Sequence, residues 1–188
     1  KYWHFIKVMG RSASHVALEC ALETQPNICL IGEEVAAKKM SLAEITNYIA
    51  DSVEKRGNNG ENFGVAIIPE GIVEFVPEFS KLIAEINELL AGEATAKFNA
   101  LPDWNAKYEF IKAGLTEESF KVFDILPQGI QQQLFLERDP HGNVQVSLIE
   151  SEKLFSEMVK TELAKRKAAG TYKGKFGAQH HFFGYEGR

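Results

Sequence analysis

The stretch FIKVMGRSASHVALECALETQPNICLIGEE, Phe5–Glu34, reads as strand, turn, helix and strand. Phe5–Val8 is short and mostly apolar, and Ile28–Ile31 (ICLI) is a continuous apolar run, as expected of strands covered on both faces. Val16–Glu23 between them follows Ser14, a residue type that begins helices. The turn Met9-Gly10-Arg11 is the unusual part. Glycine allows a tight turn and close backbone approach by a ligand. Arginine presents a fixed fork of donors suited to phosphate, and a helix N-terminus attracts anions. An ordinary strand–turn–helix with a surface arginine fits these residues as well as a ligand site does, so the rest of the chain must decide.

Working outward, the rhythm continues. Leu42, Ile45, Ile49 and Val53 keep helical spacing after Ser41, with Glu44 in the capping-box position. Phe63–Ile68 (FGVAII) is a third apolar strand, and Phe79, Leu82, Ile83, Ile86, Leu89 and Leu90 form another helical stripe. Leu154, Phe155, Met158, Val159 and Leu163 form a further stripe ending in the basic run KRKAAG, and Lys175–Phe183 (KFGAQHHFF) reads as the last strand. This order predicts an α/β domain, a mostly parallel sheet with flanking helices, over residues 1–188. Residues 92–147 break the rhythm. Candidate helices at Trp104–Ala113, Glu117–Asp124 and Gln128–Leu136 make this a mainly helical insertion, too apolar to be a linker.

The composition narrows the function classes. A net charge of -5 argues against a nucleic-acid partner, although a few local cations can still form an anion pocket. No run approaches the ~18 apolar residues that span a bilayer, so neither a signal peptide nor a membrane partner is expected. Cys20 and Cys29 lie outside any CxxC spacing, which suits buried thiols in a reducing cytoplasm. The chain begins without Met and stops at GYEGR, directly after a strand, so a piece of a longer protein is expected.

In open parallel sheets ligands bind beyond the carboxyl ends of the strands. The residues there are Met9-Gly10-Arg11, Gly32-Glu33-Glu34, Pro69-Glu70-Gly71 and Gly184-Tyr185-Glu186-Gly187-Arg188. Two arginines, carboxylates, a phenol and glycines on one edge suit a sugar phosphate or similar polyol anion. Other constellations are weaker. Adjacent His180 and His181 point to opposite faces of a strand and do not share a metal easily. His15 reads as a packing or capping residue, and His4 and His141 have no partner pattern. RGNNGEN, Arg56–Asn62, lacks the lysine and spacing of a phosphate loop.

KYWHFIKVMGRSASH, PNICLIGEE, FGVAIIPEG, LPQGIQQQLFLERDPHGNVQVS and HHFFGYEGR together resemble the pyrophosphate-dependent 6-phosphofructokinases of the long type, through nearly the whole chain. The resemblance implies the phosphofructokinase-like second domain. It also implies transfer of phosphate from pyrophosphate to the 1-hydroxyl of fructose 6-phosphate, reversibly, in glycolysis. It puts fructose 6-phosphate on Met9, Gly10 and Arg11, with Glu33 on sugar hydroxyls. Tyr185, Glu186, Gly187 and Arg188 fall in the family's last substrate loop, where the arginine meets the 6-phosphate. Lys1 and Tyr2 match residues that reach a neighbouring subunit's site, implying a homodimer or higher homo-oligomer. The family's Gly-Gly-Asp-Asp donor loop and Thr-Ile-Asp segment, with the base and the Mg2+ site, are absent from these residues. The chain alone is therefore expected to be inactive. Two alternatives stay open: part of a noncatalytic regulatory subunit of the same fold, or an ATP-dependent phosphofructokinase.

Overall fold

The computed structural model describes residues 1–136, 138 and 142–184, and they form two compact units, Lys1–Pro77 with Glu150–Arg188, and Glu78–Ile149. The element order is β1 (Trp3–Val8), α1 (His15–Thr24), β2 (Ile28–Cys29), α2 (Gly32–Ala37), α3 (Leu42–Asn58), β3 (Gly64–Pro69), α4 (Pro77–Leu89), α5 (Ala94–Asn99), α6 (Trp104–Gly114), α7 (Glu117–Asp124), α8 (Gln128–Leu136), α9 (Ser151–Ala168) and β4 (Ala178–Phe183). A 3₁₀ turn, Ile72–Phe75, follows β3.

The first unit holds a four-stranded sheet in the order β2-β3-β1-β4, with every pair parallel. This is the expected α/β architecture, and β1 is its centre. Trp3 pairs with Gly64 and Ala178 at one end, and Val8 pairs with Pro69 and Phe183 at the other. Trp3 and Phe5 are fully buried, each removing apolar area worth roughly 2–3 kcal/mol from water. The Trp3 ring fills the space beside Gly64, where a Cβ would lie 2.6 Å from it. On the opposite face Val8, Ala17 and Ile67 form a cluster with Ile6, Cys20, Cys29 and Val65, which seats α1. Helix α9 packs on β1 and β4, and α3 packs along α9.

Local signals explain most elements. Ser41 and Glu44 close a capping box at the start of α3: the Ser41 hydroxyl accepts from Glu44 N and the Glu44 carboxylate accepts from Ser41 N. Arg166 of α9 ties α3 down through Asp51, Glu54 and Asn47. The expected strand bounds need correction at several ends: β1 begins at Trp3, not Phe5, and the last strand at Ala178, not Lys175, whose N–H goes to Asn62 Oδ1. Strand β2 stops at Cys29, short of Ile31, because the chain turns into α2 at Gly32. The Ser14 side chain does not cap α1; its hydroxyl accepts from Gly32 N at 2.8 Å.

The second unit, Glu78–Ile149, is helical around an aromatic core. Phe135 packs at a tilt on Phe98 and edge-to-face on Phe123, with ring centroids 5.3 and 5.5 Å apart. Asp103 and Thr116 cap α6 and α7 with their side chains. Gly114 brings α6 against Leu89 of α4 so closely that a Cβ would clash.

Candidate functional site

The register brings three strand ends together. Val8 lies opposite both Pro69 and Phe183, so Met9, Glu70 and Gly184 leave the sheet side by side. Backbone bonds continue the pairing past the strands: Met9 N donates to Phe183 O at 3.0 Å, and Glu70 N to Val8 O at 2.9 Å.

The turn after β1 is built on two glycines. Gly10 has φ +119°, a conformation side chains rarely adopt. Gly71, on the neighbouring segment, lets the Arg11 carbonyl lie where a Cβ would be, 1.8 Å from it. Glu70 accepts a hydrogen bond from Gly10 N at 3.3 Å. The Arg11 guanidinium donates through Nε and Nη2 to Glu74 Oε1, at 3.1 and 2.9 Å.

A second strap crosses from the turn to α2. Ser14 N donates to Glu33 Oε1 at 3.0 Å while Gly32 N donates to Ser14 Oγ. The Ser14 backbone bond holds the Glu33 carboxyl below its ordinary range, and His15 adds to the effect. Glu34 diverges from Glu33, pairing with Lys38. Met9, Gly10, Arg11 and Glu33 thus share the carboxyl edge.

Other expected residues lie elsewhere. Tyr185, Glu186, Gly187 and Arg188 fall outside the described residues, as does His141. Lys1 and Tyr2 precede β1 at the amino edge, where they line a groove of about 440 Å³ with His4, Asn27, Arg56 and Phe63. The Lys1 ammonium sits 4.9 Å from the Phe63 ring centroid. They do not join the Met9–Arg11 cluster, which lies at the far end of the strand.

Three contacts escaped the sequence reading. The sequence gives Glu70 a place among the strand ends but no partner, and Glu74 neither, because its approach to Arg11 depends on the 3₁₀ turn. His4, unpaired in sequence, stacks on His181 with ring nitrogens 3.0 Å apart. His180 points the other way, to Ser156 Oγ at 2.7 Å, as strand alternation requires.

A parallel sheet with a glycine–arginine turn and converging carboxylates on its carboxyl edge defines the class: an open parallel α/β domain with a binding edge at the carboxyl ends of its strands. No family model matches the chain. Over 188 residues, all of this chain and 31% of the relative, it is 57% identical to pyrophosphate–fructose 6-phosphate 1-phosphotransferase subunit beta 1 of Arabidopsis thaliana. It is 52% identical to the pyrophosphate–fructose 6-phosphate 1-phosphotransferase of Treponema pallidum (strain Nichols), again over the whole chain and 33% of the relative. The alpha subunit from Solanum tuberosum is 43% identical over 189 residues, covering all of this chain and 29% of that subunit. The chain is thus similar over its whole length to pyrophosphate–fructose 6-phosphate 1-phosphotransferases, and it spans about a third of the length of the curated relatives it matches.

Proposed function

We propose that this chain is the fructose 6-phosphate-binding part of a longer enzyme that moves phosphate reversibly from pyrophosphate to the 1-hydroxyl of fructose 6-phosphate. The products are fructose 1,6-bisphosphate and inorganic phosphate, and the reaction belongs to glycolysis. The observation that carries this reading is the Met9-Gly10-Arg11 turn, built on Gly71 and flanked by Glu70, in a chain similar throughout to relatives named for this reaction. Arg11 offers a bidentate fork to an anion. Glu70 and Glu33 offer acceptors to sugar hydroxyls, and Tyr185, Glu186, Gly187 and Arg188 supply the loop for the 6-phosphate.

The base and the pyrophosphate site belong to other parts of the enzyme, so the chain alone is inactive. Mg2+ is the metal we assign to the reaction, held outside this chain. Among the described residues no three His, Cys, Asp or Glu side chains are grouped to hold an ion. Lys1 and Tyr2, remote from Met9, reach the site of a second subunit in a homodimer or larger assembly. The setting is the cytoplasm, which two unpaired cysteines suit. Among the described residues no helix is long and apolar enough to cross a membrane.

The test is steady-state turnover by the full-length protein. Fructose 1,6-bisphosphate should form from fructose 6-phosphate and pyrophosphate with Mg2+. Turnover only with ATP, or none with either donor, would overturn the proposal.

A further inference from the structure

Near its carboxyl end β1 carries a charge that the substrate turn does not use. Lys7 is 3% exposed and Glu152, in the first turn of α9, is 5% exposed. Lys7 Nζ lies 3.8 Å from Glu152 Oε2 and 4.4 Å from the Phe182 ring centroid on β4. Three elements therefore meet on one ammonium, two residues before Met9 on β1 and two before Gly184 on β4.

Stability does not account for the pair. Removing two charges from water offsets most of their attraction, and apolar replacements of similar volume are often as stable or more so. Burial pushes the Glu152 carboxyl up from its ordinary range, against its own backbone N–H and the Lys7 charge. A carboxyl with a raised folded pKa favours the fold while protonated and loses that contribution as pH rises through the folded value. At neutral pH the ionised form is thus a cost to folding. What the pair does supply is direction. A neighbour in one register position of each strand and the head of α9 are fixed to one point.

We propose that Lys7 and Glu152 are positioning residues, which fix the carboxyl ends of β1 and β4 together and so set where the Met9-Gly10-Arg11 turn meets fructose 6-phosphate. This rests on the function proposed above. The pair touches no substrate and acts through the turn.

The test uses the full-length enzyme with Lys7→Arg, Lys7→Met combined with Glu152→Met, and Glu152→Asp. The double variant should melt at or above the wild-type Tm yet show kcat/KM for fructose 6-phosphate about tenfold lower, carried by KM, with pyrophosphate KM unchanged. Lys7→Arg should keep the fructose 6-phosphate KM within about twofold of wild type, because the charge and its partner remain. Glu152→Asp retains both charges but shortens the reach, so it should raise the same KM. A folded double variant with a wild-type KM overturns the inference, as does Lys7→Arg as impaired as the double. If the double variant does not fold, an unchanged KM in Glu152→Asp overturns it and a raised one supports it. A wild-type enzyme without the activity overturns the proposed function, and this inference with it. An active wild type with unaffected variants overturns the inference alone.

Discussion

Gly71→Ala is the perturbation with the clearest geometry. Gly71 has φ −87° and ψ 9°, which alanine adopts without strain, and the change by itself would stabilise the chain slightly by restricting the unfolded state. The obstacle is one neighbour. A Cβ on residue 71 would stand 1.8 Å from the Arg11 carbonyl oxygen and 2.6 Å from its carbon, both main-chain atoms that no rotamer change relieves. Real Cβ atoms essentially never come within 3.0 Å of such an atom, so one segment must recede by more than about 1 Å. Residue 70 is held to β1 through its own N–H to Val8 O, whereas Arg11 lies in a turn beyond the strand. The turn is the part that yields.

Two costs follow. Overpacking of this kind destabilises by about 1–3 kcal/mol. A shift of about 1 Å in a substrate-positioning group can cost roughly a hundredfold in rate. Initial rates of fructose 1,6-bisphosphate formation should show kcat/KM for fructose 6-phosphate reduced by about that factor, with pyrophosphate KM close to wild type. A folded Gly71→Ala enzyme with wild-type fructose 6-phosphate kinetics would refute the reasoning. Equal loss toward both substrates would also refute it, by making the damage global.

Glu33→Gln should weaken fructose 6-phosphate binding and loosen the strap to Ser14, while Glu34→Gln, which loses only an exposed pair with Lys38, should leave the KM near wild type. Because Ser14 N–H holds the Glu33 carboxyl low, its contribution to stability is present above the ordinary carboxylate range. The Tm difference between wild type and Glu33→Gln should therefore shrink as pH falls through the lowered value. Arg166→Met, which keeps the stem but loses bonds to Asp51, Glu54 and Glu162, should lower stability by about 1–3 kcal/mol without changing fructose 6-phosphate KM. Tyr108 donates to Asp124, which pushes its phenol up to about 12; the difference absorbance between wild type and Tyr108→Phe should titrate there, and lower in Asp124→Asn.

Elements with complete local signals were legible in the sequence. The candidate helices at Glu117–Asp124 and Gln128–Leu136 form over those same residues, and Ser41 with Glu44 begins α3 as the capping box requires. Helix α2 was not legible. Ile31 precedes it with no capping side chain, and the Gly32 N–H is satisfied by Ser14, eighteen positions away in sequence. The same limit hid the start of β1, since Trp3 belongs to the strand through its fit against Gly64. At the site, Gly10 and Arg11 announced a turn, but which carboxylate faces it depends on the register of three strand ends.

Three donor groups of that turn are taken by the protein's own glutamates. Glu70 takes Gly10 N–H, Glu74 takes the Arg11 guanidinium, and Glu33 takes Ser14 N–H. Glu70 and Glu74 come from the segment that follows β3 and Glu33 from α2, so the turn is held from two sides. This arrangement treats the two ends of a sugar phosphate differently. Sugar hydroxyls can donate to Glu70 and Glu33 in place, adding bonds to carboxylates already fixed by backbone N–H groups. A phosphate must displace Glu74 from Arg11, and it meets three carboxylates against one arginine, an unfavourable local field. The described part of the site therefore suits the polyol and repels the anion unless further cations close over it. Arg188 in the last loop is the cation the sequence offers for that role, and Arg188→Lys in the full-length enzyme should raise fructose 6-phosphate KM because a point charge replaces a bidentate fork. An unchanged KM would mean that the 6-phosphate is met by some other group.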